Sequence, residues 1–164
     1  MGVTFWLETD AGPVHGTLSP RKSFCEAVGA NTGDHEPDAE LSGLAALLGI
    51  ELEPILLVTG GESGVADANL PEDMPEDERR KILESCAASD AWAARCWQDA
   101  RQFAAYLDEW EARLTPLLPP EPAEDLTKVE YYPIVWSADL DALGVLVFDT
   151  LERGATRLRM RADY

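Results

Sequence analysis

Residues 91–115 read AWAARCWQDARQFAAYLDEWEARLT, and this stretch decides the fold class. Ala93, Cys96, Trp97, Ala100, Phe103, Ala104, Leu107, Trp110 and Leu114 recur at intervals of three and four, which places them on one face of a helix. Arg95, Gln98, Asp99, Arg101, Gln102, Asp108 and Glu109 fall on the other faces. Ser89 and Asp90 have the side chains of an N-cap, so the helix is expected to start just after them, and Pro116 stops it. Trp97 and Trp110 fall with the core face and are expected to pack inside rather than to stack on bases.

Working upstream, Pro75 opens a preceding helix with Glu76, Asp77 and Glu78 at its N-terminus and Ile82, Leu83 and Cys86 as its apolar stripe. Pro37 is expected as the first residue of an earlier helix, with Asp38 and Glu40 in its first turn. Leu41, Leu44, Ala45, Leu47 and Leu48 form its apolar face, and Gly49 ends it in a left-handed cap. Between the two helices, Ile55–Val58 is a short apolar run that periodicity assigns to neither helix nor strand. Gly60-Gly61-Glu62-Ser63-Gly64 then opens a loop reaching about Asp73.

Strands are expected towards both ends. Val3–Glu8 is rich in β-branched and aromatic residues, Asp10-Ala11-Gly12-Pro13 is turn chemistry, and Val14–Leu18 returns as a hairpin partner. Val129–Trp136 reads as a strand, with Pro133 pushing it to a sheet edge. Ser137 then caps a helix with Leu140, Leu143, Val147, Phe148 and Leu151 on one face, ended by Gly154. Arg157-Leu158-Arg159-Met160-Arg161 alternates as a last strand with Leu158 and Met160 inward. The expectation is a helix-rich α+β fold with a small antiparallel sheet formed from strands near both chain ends. Residues 1–164 are expected as a single domain, because only 37 residues follow the Pro-rich connector at about 116–127.

The charge narrows the function more than any motif does. Lys and Arg total 13 against 31 Asp and Glu, a net charge of −18. Such a field repels polyanions, so neither nucleic acid nor an anionic membrane is an expected partner. No apolar window is long enough to span a membrane, and the N-terminal residues lack the pattern of a signal peptide. Cys25, Cys86 and Cys96 are odd in number and form no CxxC pair, which fits reduced thiols in a cytoplasmic protein.

Catalytic and cofactor motifs fail one by one, and no cofactor is expected. The glycines at 60–64 are followed by no Lys, so they do not make a phosphate-binding loop. Gly61-Glu62-Ser63-Gly64-Val65 lacks the final Gly of a nucleophile elbow, and both His15 and His35 precede the Ser. Asp34-His35-Glu36, with Asp38 and Glu40 nearby, has none of the spacings that hold zinc or calcium, so no specific metal site is expected. Arg153, Arg157, Arg159 and Arg161 make a cationic tail, read as charge on an edge strand paired with the acidic majority.

The acidic stretch is what remains. Residues 23–78 contain 14 acids and no Lys or Arg. Ordinary surfaces intersperse both signs, and a block of one sign repels itself unless a partner matches it. The expected function is an acidic binding protein that docks onto a basic protein surface, as immunity or inhibitor-type proteins do. The expected contact residues are Asp34, Glu36, Asp38 and Glu40 with Glu72, Asp73, Glu76, Asp77 and Glu78. The rival readings are a small enzyme using carboxylates or a divalent ion, which requires a concave pocket gathering them, and an accessory subunit of a larger assembly.

Overall fold

The computed structural model describes residues 4–12, 14–18, 24, 27–28, 36–59, 70–119 and 128–163. Strands β1 (Thr4–Thr9) and β2 (Val14–Leu18) form the expected antiparallel hairpin. Its turn is held by Thr9, whose hydroxyl donates to the Gly12 carbonyl at 2.6 Å and accepts the Ala11 N–H at 3.1 Å. Gly12 has φ 102°, a conformation that only glycine adopts without strain.

Five α-helices of six residues or more follow among the described residues. They are α1 (Ala39–Leu48), α2 (Glu53–Val58), α3 (Glu76–Arg95), α4 (Ala100–Leu114) and α5 (Lys128–Glu152). A two-residue strand β3 (Gln98–Asp99) separates α3 from α4, and β4 (Arg157–Asp163) follows α5. The sheet runs in the order β2-β1-β4-β3, all antiparallel. Strands from the two ends of the chain therefore do meet in one small sheet. The register pairs Leu7 with Met160 and Thr9 with Leu158, and these four residues are the buried face. Glu8 pairs with Arg159 on the opposite face, as the two-residue period of a strand requires.

Helices α4 and α5 pack against each other, and α5 also lies against β2 and β1. Phe103, Leu107, Trp110 and Leu114 of α4 meet Trp136, Leu140, Leu143 and Val147 of α5 in the core. Trp136 is its aromatic centre, stacked on Phe24 at 5.4 Å and met edge-on by Trp110 at 5.7 Å. Side chains of and before α4 tie it to the earlier helices. Tyr106 donates to the Glu51 carbonyl at 2.7 Å, Gln98 to the Pro54 carbonyl, and Arg113 to the carbonyls of Leu48 and Gly49 at 2.7 and 2.8 Å. The last contact closes the C-terminal end of α1, where Gly49 takes the expected left-handed cap with φ 65°.

The structure corrects several expectations. Residues 129–136 are helix, not strand. The apolar spacing Tyr132, Val135, Trp136, Leu140 continues at helical intervals from before Ser137, and burial of that face against the core outweighs the β-propensity of the segment. Pro133 lies inside the helix. Helix α3 does not stop at Ser89-Asp90 but runs to Arg95. The break falls at 96–99, where β3 pairs with β4 and the Ala100 N–H donates to the Thr156 carbonyl at 2.9 Å. The N-cap of α4 is Asp99, whose carboxylate accepts the Gln102 N–H at 2.8 Å, the spacing of a capping box. The apolar run at 55–58 is helical. Among side chains, Trp97 is half-buried rather than in the core, Leu47 is 72% exposed and Phe148 is 64% exposed.

Candidate partner-binding surface

The first acidic group lies at the entry to α1. Asp38 is its N-cap and Pro37 stands one residue earlier, so the helix begins two residues later than the Pro37 start predicted from sequence. The Asp38 carboxylate accepts the Leu41 N–H at 2.7 Å and the Tyr132 hydroxyl at 3.3 Å, and its backbone N–H donates to the Ala27 carbonyl at 2.9 Å. Asp38 thus has a structural role, joining α1 to α5. Burial, and then the Asp38 charge, push the Tyr132 hydroxyl well above its ordinary pKa. Glu36 and Glu40 are exposed, and Glu40 sits in the first turn, where the helix dipole favours a carboxylate. Asp34 lies outside the described residues, as do His35, Cys25 and the loop 60–69.

The second group lies at the entry to α3. A turn from Pro71 to Met74 leads into the helix, with the Met74 N–H donating to the Pro71 carbonyl at 3.2 Å. Arg79 folds back and donates to the same carbonyl at 2.8 Å. Glu72, Asp73, Glu76, Asp77 and Glu78 are all exposed, the last three in the first turn of α3. Arg80 faces Glu84 in the next turn at 4.0 Å. Among the described residues, none of these five acids, nor Glu36 or Glu40, makes an ion pair.

Each group is assembled by one helix start, and no hydrogen bond or ion pair among the described residues joins the two. No three His, Cys, Asp or Glu among the described residues are grouped so as to hold a metal ion. The segment before the Gly-rich loop is helix α2, whereas a nucleophile elbow follows a strand. Among the described residues no helix is long and apolar enough to cross a membrane.

The cationic tail is paired with acids as expected at Arg153, which meets Asp149 at 3.0 Å, and at Arg159, but its strand is not at the sheet edge. β4 lies inside the sheet order, although β3 covers only Arg157 and Leu158. Arg159 is held by Glu8 at 2.7 Å and by the Ala93 carbonyl at 3.1 Å. Its guanidinium lies 4.8 Å from the Trp97 ring centre, and that of Arg157 lies 5.4 Å from it. Sequence periodicity missed this Trp97 platform because it assumed one continuous helix through 96–99. The β3 break turns Trp97 out towards the outer face of β4.

Comparison with protein families, curated proteins and solved structures gives no match for this chain.

Proposed function

We propose that this chain is an acidic binding protein that docks onto a basic protein surface, in the manner of an immunity or inhibitor-type neutraliser. One observation carries the reading: Glu36, Glu40, Glu72, Asp73, Glu76, Asp77 and Glu78 are exposed and have no ion pair among the described residues. A chain of net charge −18 that leaves these carboxylates uncompensated has a standing electrostatic cost, and a cationic partner removes it. The same field speeds encounter with such a partner and slows approach to nucleic acid or an anionic membrane. Asp38 is assigned to the fold rather than to the contact, because its carboxylate is already occupied. The binding is proposed for the cytoplasm, where a thiol such as that of Cys86 stays reduced.

The test is capture on immobilised protein from source-cell lysate at low salt, in parallel with a variant carrying Glu72→Gln, Asp73→Asn, Glu76→Gln, Asp77→Asn and Glu78→Gln. The wild type should retain a basic protein that is released by salt, and the variant should retain much less. Recovery of no basic protein, or equal recovery by both, rejects the proposal. Circular dichroism controls for the loss of favourable dipole contacts at the start of α3.

A further inference from the structure

Helices α4 and α5 leave a groove of about 600 Å³ open to solvent. Leu107 and Leu114 of α4 and Leu140 and Val147 of α5 line it and are buried. Val145 and Phe148 of α5 line it too, yet they are 69% and 64% exposed. Helix α5 thus has an apolar strip beyond the one it packs against the core. A Cβ placed on Gly144, beside Val145, would meet nothing within 4 Å, so the groove is open there. Lining positions recur from 104 to 114 on α4 and from 137 to 151 on α5. At 1.5 Å per residue this is a trough about three to four turns long.

The rim has one sign of charge. Asp108, Glu111 and Asp141 line the groove, and no Lys or Arg does. None of the three carboxylates makes an ion pair among the described residues. An apolar strip between carboxylates matches an amphipathic helix with an apolar stripe and flanking Lys or Arg. A second copy of this chain is a poor match, because it would bring another −18 against the same rim.

We propose that the α4–α5 groove docks an amphipathic, basic-flanked helix of a partner protein, which lies along it as a third helix. The sign of the partner's charge rests on the function proposed above, but the contact is a different surface from the acidic helix starts. Phe148 is the expected anchor, being the largest exposed apolar side chain in the groove.

The probe is a synthetic Leu/Lys helix of about four turns, with a scrambled peptide of equal composition and a Leu/Gln helix of the same pattern as controls, measured by calorimetry. Three variants are compared with the wild type: Phe148→Ser; Asp108→Asn with Glu111→Gln and Asp141→Asn; and the five-site amide variant at 72–78. Phe148→Ser changes an exposed side chain, so the fold is retained. The patterned basic helix should bind at least about tenfold more tightly than either control, and Phe148→Ser should weaken it about tenfold. The rim variant should weaken it and flatten its salt dependence. Equal binding of the scrambled or the uncharged peptide overturns the inference. So does a dimer of this chain in sedimentation that Phe148→Ser dissociates, because the occupant is then a second copy. If only the 72–78 variant weakens binding, the groove is rejected and the acidic-surface function stands. If only the groove variants weaken it, the inference stands, and the contact assigned to 72–78 is judged by the lysate capture alone.

Discussion

Arg159 of β4 donates from its Nε to Oε2 of Glu8 on β1 at 2.7 Å, directly across the strand pair. The Arg159 side chain is only 11% exposed, so this pair is better shielded from water than the other ion pairs described, which sit on helix surfaces. Arg159→Leu should cost about 2 kcal/mol in urea unfolding, since it strips a charged partner from Glu8 and a donor from the Ala93 carbonyl. Combined with Glu8→Leu, the loss should be less than the sum of the two single losses. Additive losses would mean that the pair contributes nothing beyond its separate contacts.

Arg113 and Gly49 form one joint. A Cβ on Gly49 would lie 3.3 Å from Nη1 of Arg113, and the Gly49 backbone is in the left-handed region. Gly49→Ala should therefore cost about 1–2 kcal/mol from the backbone alone. Arg113→Ala should cost about 1 kcal/mol through the Leu48 and Gly49 carbonyls it leaves open. The two changes should be sub-additive in thermal unfolding, because the alanine methyl already disturbs the guanidinium.

Acid should loosen the junction between the hairpin turn and β4. The Asp10 carboxylate accepts the Thr156 hydroxyl and the N–H groups of Thr156 and Arg157 at 2.8 and 3.1 Å. These bonds, the Thr156 hydroxyl foremost, hold its pKa below the ordinary 3.8. A depressed folded-state pKa gives stability that is complete above 3.8 and is lost as the pH falls through the folded-state value. The wild type should thus melt above Asp10→Asn at neutral pH, and the gap should close below pH 3.8. A gap independent of pH would show that the charge of Asp10 is irrelevant there.

Alkali should act through two tyrosines. Burial pushes the Tyr106 hydroxyl from 10 up to about 12, and Tyr132 is raised further by burial and the Asp38 charge. A raised folded-state value gives stability that is complete below pH 10 and is lost as the pH rises towards 12. Absorbance titration should show late ionisation, and Tyr106→Phe should remove the step near 12. Asp38→Asn retains a capping side chain yet should bring Tyr132 down, separating the two roles of Asp38.

The fold class was legible because burial follows period. Leu158 and Met160 point inward as their alternation predicts, and Phe103, Leu107, Trp110 and Leu114 line the predicted helix face. Boundaries were less legible where two local signals compete. Ser89-Asp90 and Asp99 both carry N-cap chemistry, and only the pairing of β3 with β4, distant in sequence, selects Asp99. Tyr131 to Trp136 has strand propensity and helical spacing together, and the core facing α5 decides between them. For the acidic surface, charge was visible in the sequence but employment was not. The occupation of Asp38 depends on Tyr132, 94 positions away.

The central pairing of the sheet joins Glu8 to Arg159 across 151 positions. During synthesis β1 and β2 can close their hairpin early, but the second edge of β1 waits until β4 has been made. Until then a row of backbone donors and acceptors stands open, in a segment containing Phe5, Trp6 and Leu7. Joining such distant segments carries a large loop-closure cost and slows folding. The strong negative charge of the chain acts against contact between copies while that edge is uncovered.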